Sequence, residues 1–104
     1  MTSRTITQPA SPAAGAETGT TDEEAAEHIL AMRERINEID HALMALWQER
    51  ASLSRQVGAT RVAAGGTRLV LSREREILDR FRTELGTDGT QLALLLLRAG
   101  RGPL

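Results

Sequence analysis

A long helical pattern without interruption is the feature that most restricts how this chain can fold. Its apolar residues recur at alternating intervals of three and four, which is the spacing of a heptad seam. The seam consists of Ile29, Met32, Ile36, Ile39, Leu43, Leu46, Leu53 and Val57. Thr21–Glu24 offers an N-cap followed by acidic residues, and no proline interrupts the pattern before Gly65–Gly66. The pattern predicts one helix over residues 22–63, roughly 60 Å long.

Two shorter helices are predicted after the Gly65–Gly66 pair, which suits a left-handed helix end. The second helix ends at Gly86, and Asp88–Gln91 then has the spacing of a capping box. The run Leu92–Leu97 is apolar on all sides, as expected of a buried third helix that ends near Gly100. The stripe of the second helix is Glu74, Ile77, Leu78, Phe81 and Leu85.

The predicted fold class is all-α, because aliphatic residues supply the apolar mass and the chain has one Phe, one Trp and no Tyr. The two short helices cannot cover the whole seam of the long one. A second copy is therefore expected to cover the rest, with the long helices antiparallel. We predict three helices per chain, one long and two short, in an intertwined homodimeric six-helix bundle.

Three segments are expected along the chain: a disordered leader over 1–21, a helical domain over 22–100 and an irregular tail over 101–104. The leader is rich in Thr, Ser, Ala, Pro and Gly, and it lacks the basic start and apolar run of a secretory signal. Leu92–Leu97 is far shorter than the ~20 residues that cross a bilayer. We expect a soluble, cytoplasmic protein without membrane association.

The charge pattern favours a small anionic partner. All 13 basic residues are arginine, and residues 28–104 carry twelve of them against nine acidic residues, a net charge of +3. A guanidinium keeps its charge when desolvated and binds carboxylates in a planar fork. Nucleic acid is disfavoured because stacking aromatics are lacking. Because the chain has no cysteine, and His28 and His41 stand 13 positions apart with no matching carboxylate cluster, we expect no structural metal.

Three arginines of the long helix do not suit a plain bundle. Arg50 occupies a seam position, and Arg33 and Arg61 share one heptad position beside the seam. A buried guanidinium needs an anion, either a carboxylate of the protein or a ligand. Arg50 and Arg61 share a face about 16 Å apart, whereas Arg33 lies roughly 42 Å from Arg61 along one helix. Arg33 can therefore join them only across an antiparallel helix pair.

Glu74 occupies the apolar stripe of the second helix, where a carboxylate needs a hydrogen-bonding partner. Two interpretations are open at this point. Glu74 either pairs with an arginine of the first helix or accepts the hydroxyl of a ligand.

The segments that carry these residues resemble the all-helical AroQ-type chorismate mutases. Residues 64–74 are particularly similar to the short actinobacterial subclass. The resemblance is carried by residues 32–40, 48–53, 57–61 and 72–74.

The resemblance implies a role for each site residue. Arg33 of the partner subunit and Arg50 would bind the two carboxylates of chorismate, with Arg73 at the pocket wall. Arg61 would donate to the ether oxygen, and Glu74 would hold the ring hydroxyl. The substrate-binding residues expected from the resemblance are Arg33, Arg50, Arg61, Val70, Arg73 and Glu74, with Arg61 and Glu74 as the catalytic ones.

The implied activity is that of an isomerase of the shikimate pathway, the rearrangement of chorismate to prephenate for Phe and Tyr biosynthesis, with no metal or cofactor. Two departures from the family pattern stand out. Val70 replaces an acid, and the third helix lacks the Gln or Glu that faces the ether oxygen. Members of the similar subclass are activated by 3-deoxy-heptulosonate-7-phosphate synthase, and Arg98–Leu104 resembles the segment that makes this contact.

Two alternatives remain from the sequence. Isochorismate pyruvate lyase shares the fold and the arginines, and it would release pyruvate. A non-catalytic helical dimerisation module would instead use Arg50 and Glu74 as a structural ion pair.

Overall fold

The computed structural model describes residues 13–101. Within this range the chain forms four helices and no strand: α1 (Ala13–Thr18), α2 (Glu23–Ala63), α3 (Leu71–Leu85) and α4 (Thr87–Arg101). The all-α prediction is confirmed. No helix of the described range is long and apolar enough to cross a membrane.

The long helix α2 matches its predicted bounds to within one residue. At its start the Asp22 carboxylate accepts a hydrogen bond from the Ala25 N–H at 3.1 Å, as an N-cap residue does. At its end Gly65 takes a φ of +82°, and the N–H of Gly66 donates to the Arg61 carbonyl at 2.7 Å. This is the Schellman arrangement, which satisfies carbonyls left over at a helix end.

A single residue, Gly86, connects α3 to α4. It has a φ of +74°, and its N–H donates to the Arg82 carbonyl at 2.8 Å. So short a connection brings the two helices very close. A Cβ added to Gly89 would lie 2.8 Å from the Leu85 Cβ, so only glycine fits there. Gly86 and Gly89 together allow α3 and α4 to pack as a hairpin.

The end of α4 corrects one prediction. Arg101 was assigned to an irregular tail, but α4 continues through Gly100 to Arg101. This additional helical residue is held by its surroundings, because Gly100 packs against Ser54 and the Arg101 side chain forms an ion pair. The other tail residues, 102–104, lie outside the described residues.

The helix α1 corrects the count of three helices and the assignment of a disordered leader. Its sequence contains three alanines, the strongest helix formers, but no apolar periodicity that would have revealed it. Arg33 Nη1 donates to the Glu17 carbonyl at 2.5 Å and ties this short helix to α2. Residues 1–12 of the leader lie outside the described residues.

The chain divides into two compact units between Ala42 and Leu43. The second unit contains the core, where α3 packs on α4. Ile77, Ala93 and Leu97 are buried there, and Leu78 and Phe81 pack against them.

The apolar seam of α2 is largely exposed in the single chain. Met32 is 54% exposed, Leu43 60% and Leu53 52%. Large apolar side chains exposed in a row along one helix are typical of an interaction surface. The homodimeric six-helix bundle remains a prediction.

Candidate active site

A cavity of about 500 Å³ lies within the second compact unit. Its wall is built by the C-terminal half of α2, the connection to α3, the first turns of α3 and the last turn of α4. One carboxylate, that of Glu74, lines the cavity alongside six arginines. These are Arg50, Arg55, Arg61, Arg68, Arg73 and Arg101. The cavity is therefore strongly cationic, which suits a small ligand with more than one negative charge.

Five of the six predicted site residues line this one cavity: Arg50, Arg61, Val70, Arg73 and Glu74. The sixth, Arg33, belongs to the first compact unit. It is exposed, and its guanidinium donates to the carbonyl of Glu17. Its approach from a partner subunit remains a prediction.

The two predicted site arginines of α2 that line the cavity are held by weak contacts. Arg50 Nη1 donates to the Leu96 carbonyl in α4 at 3.4 Å, and Arg61 Nη1 donates to the Arg68 carbonyl at the same distance. Hydrogen bonds of this length are near the limit of the useful range. Because a guanidinium has five N–H donors, each side chain keeps most of its donors for a ligand.

The start of α3 presents two charged residues to the cavity. Val70 caps the helix through its backbone only, and its carbonyl accepts from the N–H groups of Arg73 and Glu74 at 3.1 and 3.2 Å. Arg73 Nη1 pairs with Glu76 Oε1 at 2.7 Å, and both side chains are more than half exposed. The Glu74 carboxylate lies at the positive end of the α3 dipole.

Glu74 forms an ion pair with Arg101 at the end of α4. The distance from Arg101 Nη2 to Glu74 Oε1 is 2.6 Å, and the side chains are 30% and 15% exposed. The arginine partner of Glu74 thus comes from α4. One interpretation of the sequence had expected it from the long helix, α2. The Arg50–Glu74 pair on which the dimerisation module depended is absent, since Arg50 donates instead to Leu96.

Sequence reasoning missed three cavity arginines, Arg55, Arg68 and Arg101. Arg55 Nη1 donates to the Ala99 carbonyl at 3.2 Å, close to the end of α4. A usable signal for Arg101 did exist. A hairpin that turns at Gly86 places the end of α4 beside the start of α3, so Arg101 approaches Glu74.

The chemistry available at the cavity is that of guanidinium groups and one carboxylate. No histidine lines it, and His28 and His41 are exposed. Within residues 13–101 no cluster of three or more His, Asp or Glu side chains is placed to hold a metal ion. The arrangement can bind a dianion, hold one hydroxyl and stabilise charge that develops on an oxygen.

A protein family and two relatives with similar sequences are described as chorismate mutases. The family described as chorismate mutase type II matches residues 32–95. The intracellular chorismate mutase of Mycobacterium tuberculosis is 51% identical over 73 residues, which cover 70% of this chain and 69% of that protein. The intracellular chorismate mutase of Mycolicibacterium smegmatis is 47% identical over 73 residues, 70% of each chain.

A solved structure supports the same assignment. It is a non-covalent complex of DAHP synthase and chorismate mutase from Corynebacterium glutamicum with a bound transition state analog. The matching chain has 44% sequence identity and a TM-score of 0.70, and the match covers 75% of this chain and 94% of that one. The family match over more than half of the sequence and the identity to these relatives show that this chain belongs to the chorismate mutase type II family.

Proposed function

We propose that this chain rearranges chorismate to prephenate within the arginine-lined cavity. The observation that carries the proposal is the convergence of six guanidiniums and one carboxylate on a single cavity in a chain of this family. The cavity volume of about 500 Å³ also falls within the range of roughly 300–1,000 Å³ that is typical of small-molecule sites.

The reaction is an intramolecular isomerisation. One C–O bond breaks while one C–C bond forms, so the protein supplies no nucleophile and no proton. It holds the flexible substrate in the reactive chair and stabilises the negative charge that grows on the ether oxygen. These are tasks that fixed guanidiniums perform well, because they need no reorganisation during the reaction.

Each side chain takes a role that agrees with its position. Arg50 binds a substrate carboxylate, and Arg73 contributes from the pocket wall. Arg61 donates to the ether oxygen, and Glu74 accepts the ring hydroxyl. Val70 contributes backbone and apolar contact only. All five line the same cavity, which supports this assignment.

A second copy of the chain completes the site in this proposal. Two α2 helices crossing antiparallel would cover the exposed seam and bring Arg33 of the partner subunit close to Arg50 and Arg61. The exposure of Met32 and Leu43 supports this arrangement, because apolar side chains exposed by more than half gain from being covered. The proposed assembly is the homodimeric six-helix bundle.

We also propose that the chain docks on a DAHP synthase and is active in the cytoplasm. The solved chorismate mutase of C. glutamicum forms such a complex and is 44% identical to this chain. The proposed contact is Arg98–Leu104, whose first four residues form the last turn of α4. Removal of residues 102–104 should abolish activation by the synthase and leave the helical content unchanged. Undiminished activation of the shortened protein would refute this contact.

The decisive experiment follows the loss of chorismate absorbance with the purified chain, with and without the synthase, and identifies the product. Wild type should form prephenate, and Arg50→Ala should lose most of this activity. Arg80→Ala serves as the control, because Arg80 pairs with Glu76 on the exposed face of α3. Release of pyruvate would identify the lyase instead. No turnover in any condition would leave the dimerisation module as the better explanation.

A further inference from the structure

The ion pair between Glu74 and Arg101 joins the first turn of α3 to the last residue of α4 at the wall of the cavity. The proposed function uses Glu74 to hold the substrate hydroxyl and gives Arg101 no task in the reaction itself. Arg101 is nevertheless the residue that contacts this carboxylate most directly, at 2.6 Å.

The geometry of the pair is one-sided. Arg101 contacts Glu74 through Nη2, while its buried Nε has no hydrogen-bond partner. The pair is therefore not the side-on fork in which Nε and Nη2 bind both carboxylate oxygens. Since a carboxylate accepts about four hydrogen bonds, Glu74 keeps acceptor capacity for a hydroxyl.

The last turn of α4 is anchored to α2, and this anchoring places Arg101. Gly100 lies against Ser54, so closely that a Cβ would meet the hydroxyl oxygen at 2.5 Å. Beside it, the Ala99 carbonyl accepts a hydrogen bond from Arg55 at 3.2 Å. The guanidinium of Arg101 is thus directed from a backbone that packing and a hydrogen bond hold in place.

Five other arginines line the cavity with Glu74. A carboxylate without its own counterion in such surroundings would pair with one of them. That pairing would remove a cation from substrate binding and turn the carboxylate away from the hydroxyl.

We propose that Arg101 is a positioning residue of the active site, an inference that rests on the proposed function. It occupies one side of the Glu74 carboxylate, which keeps Glu74 away from Arg50 and Arg61 and leaves it oriented toward the substrate hydroxyl. Arg101 itself need not touch the substrate. Its effect passes through Glu74.

The test is steady-state kinetics of chorismate turnover by the full chain without a partner enzyme. Arg101→Gln should raise KM on the order of tenfold, the loss expected when one charge-assisted hydrogen bond stops organising the site. Arg101→Lys keeps the charge and should recover most of the loss. Arg82→Gln removes the same charge from the exposed side of α3, outside the cavity, where Arg82 pairs with Asp79, and it should behave as wild type.

A double-mutant cycle separates positioning from general support of the fold. If Arg101 acts through Glu74, Arg101→Gln should have almost no further effect once Glu74→Gln is present. Multiplicative losses, or unaltered kinetics of Arg101→Gln, would overturn the proposal. Circular dichroism and thermal unfolding of each variant identify any loss that comes from misfolding, in which case Arg101→Lys carries the test.

Failure of the proposed function has a different signature. An inactive wild-type chain that also fails to bind prephenate in calorimetry would remove the mutase assignment, and the role of Arg101 with it. An active wild type whose KM is indifferent to Arg101 would remove only the positioning role.

Discussion

Gly100 of α4 stands so close to Ser54 of α2 that a Cβ on Gly100 would lie 2.5 Å from the Ser54 hydroxyl oxygen and 2.7 Å from the Ser54 Cβ. Neither distance is compatible with a real side chain. The contact therefore sets how near the last turn of α4 comes to α2, and with it the position of the arginine-lined wall.

Gly100→Ala should push the last turn of α4 outward and lower the free energy of unfolding by about 1–3 kcal/mol, the usual cost of overpacking. The hydrogen bond from the Arg55 side chain to the Ala99 carbonyl should weaken as well. Thermal or urea unfolding measures the loss, and chorismate turnover should fall with it. A variant as stable as wild type would show that the close contact is not maintained in solution.

Gly58→Ala is the matched control, and it should raise the free energy of unfolding where Gly100→Ala lowers it. Its Cβ would meet the Arg68 Cγ at 3.5 Å, an ordinary van der Waals contact. Alanine within a helix is favoured over glycine by about 0.5–1 kcal/mol. Unfolding of Gly58→Ala should therefore require slightly more denaturant than unfolding of wild type.

Leu43→Glu should leave the chain monomeric, because it places a charge on the exposed seam of α2 that a second copy is proposed to cover. Multi-angle light scattering measures the change. Leu85→Glu is the comparison, since Leu85 is exposed to a similar degree, 57% against 60%, but lies on α3 away from the seam. Wild type that scatters as a monomer would contradict the six-helix bundle.

Arg61→Ala should lower kcat on the order of 100-fold with a smaller effect on KM, as removal of an oxyanion-hole donor does. The reason is that charge on the ether oxygen grows only as the C–O bond breaks. Arg50→Ala should instead act mainly on KM, because the substrate carboxylates carry full charge throughout. Equal changes of KM and kcat in the two variants would mean that these roles are misassigned.

Leu97→Ala should destabilise the chain by about 2–5 kcal/mol, since it opens a cavity where α3 packs on α4. Leu97 is 8% exposed and contributes to the core with Ile77 and Ala93. Leu71→Ala, at a position that is 69% exposed, should cost far less. Denaturant unfolding of the two variants side by side checks the location of the core.

The helices that carry local signals could be predicted from the sequence. The heptad seam, the acidic start and the Gly65–Gly66 end determine α2, and Gly86 marks the end of α3 in the same way. Each of these signals acts within a few residues of the helix that it bounds. The helix α1 has only six residues and no apolar period, so composition alone suggested an irregular leader.

The residues of the candidate site also divide into those with a local sequence signal, which could be predicted, and those without one. Arg50 and Arg61 could be found because two positions on one helix have a computable separation, and Glu74 because it interrupts an apolar stripe. Arg101 was missed because its place depends on how α3 and α4 pack, which a helix-by-helix interpretation does not include. Predicting the partner of Glu74 required knowledge of the α3–α4 hairpin. That hairpin depends on the close approach of the two helices at Gly89.

The one-residue connection at Gly86 also bears on the order of folding. It makes the contacts between α3 and α4 local in sequence, so little loop-closure entropy is lost when they form. We expect this hairpin to assemble early, ahead of association between chains. Each protomer would then bring the part of its site that α3 and α4 form already folded. Association would only have to add the side that the partner subunit contributes.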